Sequence, residues 1–161
     1  MLPTIAILAL SFFFQTPDTT IPVSAHAEYT VTGRGVQIYK CTVKDNAFNW
    51  TFQQPEATLF DAASKQPVGL HTAGPTWTWT DRSAIVGKLL RSKPSPDPAN
   101  IPWLLLETHS TGETGALSNI KFVRRSDTQG GVAPTTGCDA EHQDNTVRVP
   151  YEATYTFYTA Q

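Results

Sequence analysis

From Val147 to Phe157 the chain alternates: Val147, Val149, Tyr151, Ala153, Tyr155 and Phe157 share one parity, and Arg148, Glu152, Thr154 and Thr156 the other. A period of two places the first set on one face of an extended strand and the second on the opposite face. Such a strand needs hydrogen-bonding neighbours at its edges and a covering layer over its apolar face. One segment therefore commits the chain to a sheet with a packed interior. Pro150 has no N–H for a ladder and predicts an edge or a bulge at that point.

Similar runs rich in β-branched and aromatic residues occupy 36–43, 48–52, 57–60, 76–80, 84–90, 103–108 and 117–124. Turn residues separate them: Lys44-Asp45-Asn46, Ser64-Lys65-Gln66-Pro67, Gly112-Glu113-Thr114-Gly115 and Gln129-Gly130-Gly131. Ser92 to Pro102 carries four prolines and predicts an exposed, semi-rigid loop. No stretch keeps a helical period without a proline, glycine or threonine breaking it. With 161 residues the chain is one domain's worth. The spacing predicts an all-β fold, an antiparallel sandwich or closed barrel of about eight or more short strands.

Ile5 to Phe14 is apolar except for Ser11, the length of a signal core and too short to span a bilayer. The lead Met1-Leu2-Pro3-Thr4 has no Lys or Arg, and the best A-x-A site, Ala25-His26-Ala27, lies well downstream. The expectation is an export signal over 1–14, cleavage within 15–27, a single all-β domain over 28–161, and a secreted or periplasmic protein. No cysteine follows the apolar run, so a lipid or other stable membrane anchor is not expected. A formal net charge of −2 gives no footprint for nucleic acid. The run Lys121-Phe122-Val123-Arg124-Arg125 is too short to reverse that.

The two cysteines, Cys41 and Cys138, are too far apart for a CxxC redox or zinc motif. In an oxidising compartment they read as one disulfide, with buried free thiols as the alternative. Closing a loop of about 100 residues contributes roughly 4–5 kcal/mol in the chain-entropy model.

The stretch Gly69-Leu70-His71-Thr72-Ala73-Gly74-Pro75-Thr76-Trp77 looks like an active-site loop. Its glycines would let backbone approach a ligand, Trp77 and Trp79 offer flat faces, and Asp81 is the nearest acid in sequence to orient His71. Turn chemistry alone also accounts for the glycines and the proline. Arg124-Arg125 followed by Thr128-Gln129-Gly130-Gly131 has the makings of an anion cradle, or of a plain turn beside an arginine paired with an acid. His26, His71, His109 and His142 form no H-x-H or HExxH pattern, and Asp139 to Asn145 lacks EF-hand spacing, so no metal site is expected. No G-x-S-x-G elbow is present.

Several motifs fall in a distinctive order: Gly35-Val36-Gln37-Ile38-Tyr39-Lys40-Cys41, Gly69-Leu70-His71 with Gly74-Pro75-Thr76-Trp77, and Ile101-Pro102-Trp103-Leu104-Leu105-Leu106. They continue with Arg124-Arg125, Thr128-Gln129-Gly130-Gly131, Gly137-Cys138, and Val149-Pro150-Tyr151 through Tyr158. From about Gly33 to Tyr158 the chain resembles a family of secreted bacterial and fungal proteins catalogued as a domain of unknown function. The resemblance implies a secreted β-rich fold and no established activity. Asp81-Arg82-Ser83 departs from the Asp-Gly-Ser expected there, which weakens a tight turn. Some relatives carry a dehydrogenase label, yet Gly33-Arg34-Gly35 is only a G-x-G with no helix after it, so no dinucleotide and no other cofactor is expected.

Three functions stay open on sequence alone. One is a non-catalytic module that binds a small molecule, glycan or envelope component through His71, Trp77, Trp79 and Arg125. Another is an enzyme using His71 as acid or base with Asp81. The third is a purely structural envelope or matrix protein.

Overall fold

The computed structural model describes residues 18–161; the predicted signal over 1–14 lies outside the described residues. The strands are β1 (Ala25–Lys44), β2 (Ala47–Asp61), β3 (Pro67–Thr72), β4 (Thr76–Trp79), β5 (Ala84–Lys93), β6 (Trp103–Ser110), β7 (Ile120–Gly130) and β8 (Thr146–Ala160). Each pairs antiparallel with the next, and β1 pairs with β8, so the sheet closes into a barrel. Closure leaves as a free edge the upper part of β2, residues 47–56, which runs past the end of β3, and it settles the choice between sandwich and barrel.

Inward residues recur at every second position. Val31, Leu59, Trp77, Ile85, Val123, Ala153, Tyr155 and Phe157 are buried in one continuous core. Gly33 faces inward with them, because a Cβ there would lie 2.6 Å from the Tyr155 ring. The G-x-G of the sequence is thus space left for a tyrosine. Pro150 pairs with Val36, and its carbonyl accepts from the Gly131 N–H where β7 has just ended. Its ring nitrogen points to that same side, so the missing N–H breaks no ladder bond.

Several boundaries differ from the sequence expectation. The runs 48–52 and 57–60 are one strand, β2, bent by a bulge that leaves Gln53 unpaired between the Ile38–Gln54 and Tyr39–Phe52 pairs. The first strand starts well ahead of the run 36–43: β1 begins at Ala25, and Thr19 is already fully buried. Leu117 is not in a strand but in the β6–β7 loop. The presumed loop Gly69 to Trp77 is a hairpin, with β3 and β4 on either side of a turn at 73–75.

The two ends of the barrel are built differently. At the lower end the β6–β7 loop folds inward as a plug, with Leu117 fully buried. Asp81 and Ser83 clasp it: Ala116 N–H donates to Asp81 Oδ2 (2.8 Å), Leu117 N–H to Ser83 Oγ (3.1 Å), and Ser83 O–H to Asp81 Oδ1 (2.6 Å). Arg82 takes φ 67° to make this turn, so the tight turn survives without the expected glycine. At the upper end the long β1–β2 ribbon rises past the short β3–β4 hairpin. The Cys41–Cys138 disulfide (Cα–Cα 5.3 Å) ties that ribbon to the β7–β8 loop, and Trp50 Nε1 donates to the Thr136 carbonyl beside it. The height difference leaves a mouth above the β3–β4 turn.

Candidate ligand-binding site

His71 and Trp77 are direct cross-strand neighbours on β3 and β4, and both point inward. Their rings stack with centroids 4.5 Å apart and planes 7° from parallel. Tyr155 meets both edge-on, at 5.1 Å from His71 and 6.0 Å from Trp77. The turn that joins the two strands uses Gly74 at φ 113°, which only glycine adopts without strain, and Thr76 Oγ1 donates to the Ala73 carbonyl.

His71 Nδ1 lies 2.9 Å from the Thr76 carbonyl. A carbonyl only accepts, so Nδ1 carries the proton and Nε2 is a bare acceptor. Burial pulls the His71 pKa from 6.5 down to about 4; the Thr76 hydrogen bond opposes this, and the Arg125 charge adds to it. The ring is therefore neutral at physiological pH. A general base works best with a pKa near the working pH, which His71 does not have.

Asp81 does not orient it. The carboxylate lies past the opposite end of β4, roughly 10 Å away along the strand direction. It is occupied with Ser83 and the plug, whose hydrogen bonds, led by the Ser83 hydroxyl and the Ala116 N–H, hold its pKa below the usual carboxylate value. Trp79 also sits low. It packs against Phe157 (5.3 Å) and Tyr29 (5.4 Å), below the mouth.

Above the His71–Trp77 pair lies a cavity of about 280 Å³ that opens at the upper end. His71, Trp77 and Tyr155 wall it with Leu104, Gln37 and Arg125. The structure thus brings His71, Trp77 and Arg125 to one space and leaves Trp79 and Asp81 outside it. Trp77 is only 1% exposed and one of its faces is covered by His71, so it is no open platform for a polymer.

Arg125 is placed by register. It follows Val123 on the inward parity of β7 and stands opposite Leu104 on β6 and Tyr155 on β8. Its neighbour Arg124 points out, over the Trp103 ring at 5.6 Å. Arg125 Nε and Nη2 both donate to the Pro102 carbonyl, at 3.1 and 2.7 Å. Among the described residues the ion pairs join Arg34 to Glu152, Lys40 to Asp144, Arg82 to Glu113 and Arg148 to Glu56. None involves Arg125. The glycines beside it, readable as a cradle or a turn, are already engaged: Gly130 N–H donates to Asn100 Oδ1 and Gly131 N–H to the Pro150 carbonyl.

Two polar groups in the wall lack partners. Gln37 is 3% exposed with Nε2 unpaired, and Trp77 Nε1 is likewise buried without an acceptor. Each such group costs about 1–3 kcal/mol unless something satisfies it. Above and behind them Tyr151 and Tyr155 hydroxyls meet at 3.0 Å, and Tyr39 O–H donates to the Gly131 carbonyl. Burial raises both the Tyr151 and Tyr155 pKa values, so these phenols stay protonated. Gln37 and Tyr155 were missed from sequence as site residues. The signal was there in part: Cys41 must face its disulfide partner, and the same parity carries Tyr39 and Gln37 inward.

Among the described residues no three His, Cys, Asp or Glu side chains converge to hold a metal ion. Asp139 and His142, considered for one, bond each other at 2.6 Å within the β7–β8 loop.

A family model described as Protein of unknown function (DUF3455) matches residues 22–159, and the chain belongs to that family. No curated protein and no solved structure matches the chain.

Proposed function

We propose that this member of the family is an exported, non-catalytic barrel that binds a small molecule in its open mouth. The observation that carries the reading is the cavity of about 280 Å³, walled by aromatic and aliphatic side chains and carrying a few polar groups. That mixture of an apolar wall and a few convergent polar groups is typical of small-molecule sites, and eight-stranded barrels are of a size to hold one such ligand. The burial of Trp77 argues for an enclosed ligand rather than a glycan or envelope polymer stacked on its face. The low pKa of His71 and the distant Asp81 argue against acid–base catalysis.

Export is supported by the disulfide, which persists in oxidising compartments, and by the apolar segment Ile5–Phe14. Among the described residues no helix is long and apolar enough to cross a membrane. Signal cleavage between Phe14 and Thr19 keeps the buried Thr19 and the Arg91–Thr20 hydrogen bond, whereas cleavage after Ala27 removes residues paired with β8.

The test is a thermal-shift screen of oxidised protein against metals, sugars, nucleotides, organic acids and neutral aromatics. A ligand at a hundredfold excess over its Kd adds about 2.7 kcal/mol of stability. Leu104→Trp fills the mouth without removing a polar group, and is expected to abolish the stabilisation while the barrel stays folded. A ligand that stabilises this variant as well as the wild type binds elsewhere and refutes the cavity reading. If nothing stabilises the wild type, the structural envelope or matrix role takes its place.

A further inference from the structure

Charge decides what kind of small molecule suits the mouth. The cavity lining contains one permanent cation, Arg125, and no Asp or Glu. Arg125 is half-buried on an interior face of the barrel, beside Leu104, Tyr155 and the His71–Trp77 pair. The guanidinium there has no carboxylate partner; the protein offers it the Pro102 carbonyl and the neighbouring Tyr155 hydroxyl. Gln37 Nε2 and Trp77 Nε1 are unpaired donors, and the neutral His71 supplies no second charge. Two unpaired donors and a cation without an anion describe a site that lacks a negatively charged group.

Size and shape restrict that group further. At about 30 Å³ per liquid water, the space corresponds to roughly nine waters, hence a ligand of about ten non-hydrogen atoms. Most of the wall is apolar and much of it is flat ring. We infer that the mouth selects a small monocarboxylate with a ring-sized apolar body, its carboxylate turned to Arg125 and its body lying against the His71–Trp77 stack. The inference rests on the binding reading above and goes beyond it by naming the ligand class and the residue that selects it. The guanidinium suits this role better than an ammonium would, since its planar fork matches two carboxylate oxygens.

The probes are trans-cinnamate and its neutral amide, which have the same size and shape and differ in charge. Titration followed by tryptophan fluorescence and calorimetry gives their affinities for wild type, Arg125→Met and Arg125→Lys. Wild type is expected to favour the acid by about tenfold or more, the range of a charge-assisted hydrogen bond. Arg125→Met is expected to erase that preference while keeping its amide affinity, and Arg125→Lys to retain part of it. Because the acid–amide comparison is made within the wild type, the test stands even if Arg125→Met folds poorly after losing its bonds to Pro102. Equal affinity for acid and amide overturns the anion selectivity and leaves the cavity reading intact. A preference that survives in Arg125→Met overturns Arg125 as the residue that selects the anion. Binding of neither probe, in a protein whose mouth takes some other ligand in the Leu104→Trp comparison, overturns the ligand class. Failure in both experiments removes the binding reading itself.

Discussion

A neutral histidine sealed in a barrel makes the fold sensitive to acid in a defined window. In the unfolded chain His71 titrates near 6.5; in the barrel, burial lowers it to about 4. Between those values the unfolded state holds more protons than the folded one, so stability rises with pH and is lost as pH falls. The contribution is complete above pH 6.5 and gone at about pH 4. At 1.36 kcal/mol per pH unit the whole step is about 3 kcal/mol, a large part of a typical total of 5–15 kcal/mol. The assay is urea unfolding of the oxidised protein, followed by tryptophan fluorescence at pH 7.5, 6.5, 5.5 and 4.5. With a slope of 1–3 kcal/mol/M, the midpoint is expected to fall by about 1–2 M across that range. His71→Phe, which keeps a ring against Trp77, and His71→Gln, which keeps a donor for Thr76, should both flatten the dependence. The other histidines are common to all three proteins and cancel in the comparison. Glu56, Asp61, Asp81 and Asp139 are held below their usual carboxylate values by hydrogen bonds, so their losses begin at lower pH. A wild-type stability that is flat from pH 7.5 to 4.5, or a slope unchanged in both variants, would show that His71 is not buried neutral and refute the reasoning.

The remaining predictions concern the two ends of the barrel. Arg82 sits at φ 67° in the plug turn, a conformation costing a non-glycine residue about 1–2 kcal/mol. Its ion pair with Glu113 is exposed on both sides and contributes little. After the added unfolded-state entropy of glycine, Arg82→Gly is expected to stabilise the fold by about 0.5–1 kcal/mol; a lower melting temperature would mean that the ion pair or the arginine stem matters more than the backbone. Reduction of Cys41–Cys138, which closes 97 residues, removes roughly 4–5 kcal/mol in the chain-entropy model. At 2–4 °C per kcal/mol the melting temperature should drop by about 10 °C. Equal melting with and without reductant would place the restraint in the hydrogen bonds of Trp50, Cys41 and Asn145 instead.

How far the sequence revealed this depends on the range of the information each feature needs. Strand β8 was legible because its period of two is local and its inward set, Tyr151 to Phe157, is apolar. Strand β3 was not. Val68-Gly69-Leu70-His71 has glycine where a strand former would stand, and its extended form is imposed by β2 and β4 on either side. Gly69 is tolerated because a Cβ there would lie 2.3 Å from the Thr78 carbonyl oxygen, so only a glycine lets the two strands approach. Closure was out of reach for the same reason: it rests on β1 pairing with β8 across the length of the chain. In β1 the apolar pattern even misleads. Val36 and Ile38 suggest the core by composition, yet Gln37, Tyr39 and Cys41 take the inward parity.

That inversion bears on the site itself. A barrel interior assembled for stability alone would place apolar residues where Gln37 and Arg125 stand, as it does lower down with Val31, Leu59, Val123 and Phe157. The lower end also shows that this chain can satisfy buried polar groups, since Ser83, Asp81 and the plug bond one another without a loose donor. The mouth does not follow that rule. There a cation, an amide and an indole N–H share one wall without an acid among them. Unpaired buried polar atoms also occur at Thr19, Trp103 and Arg124, so it is the convergence of two of them with a cation on one cavity that supports the proposed ligand site.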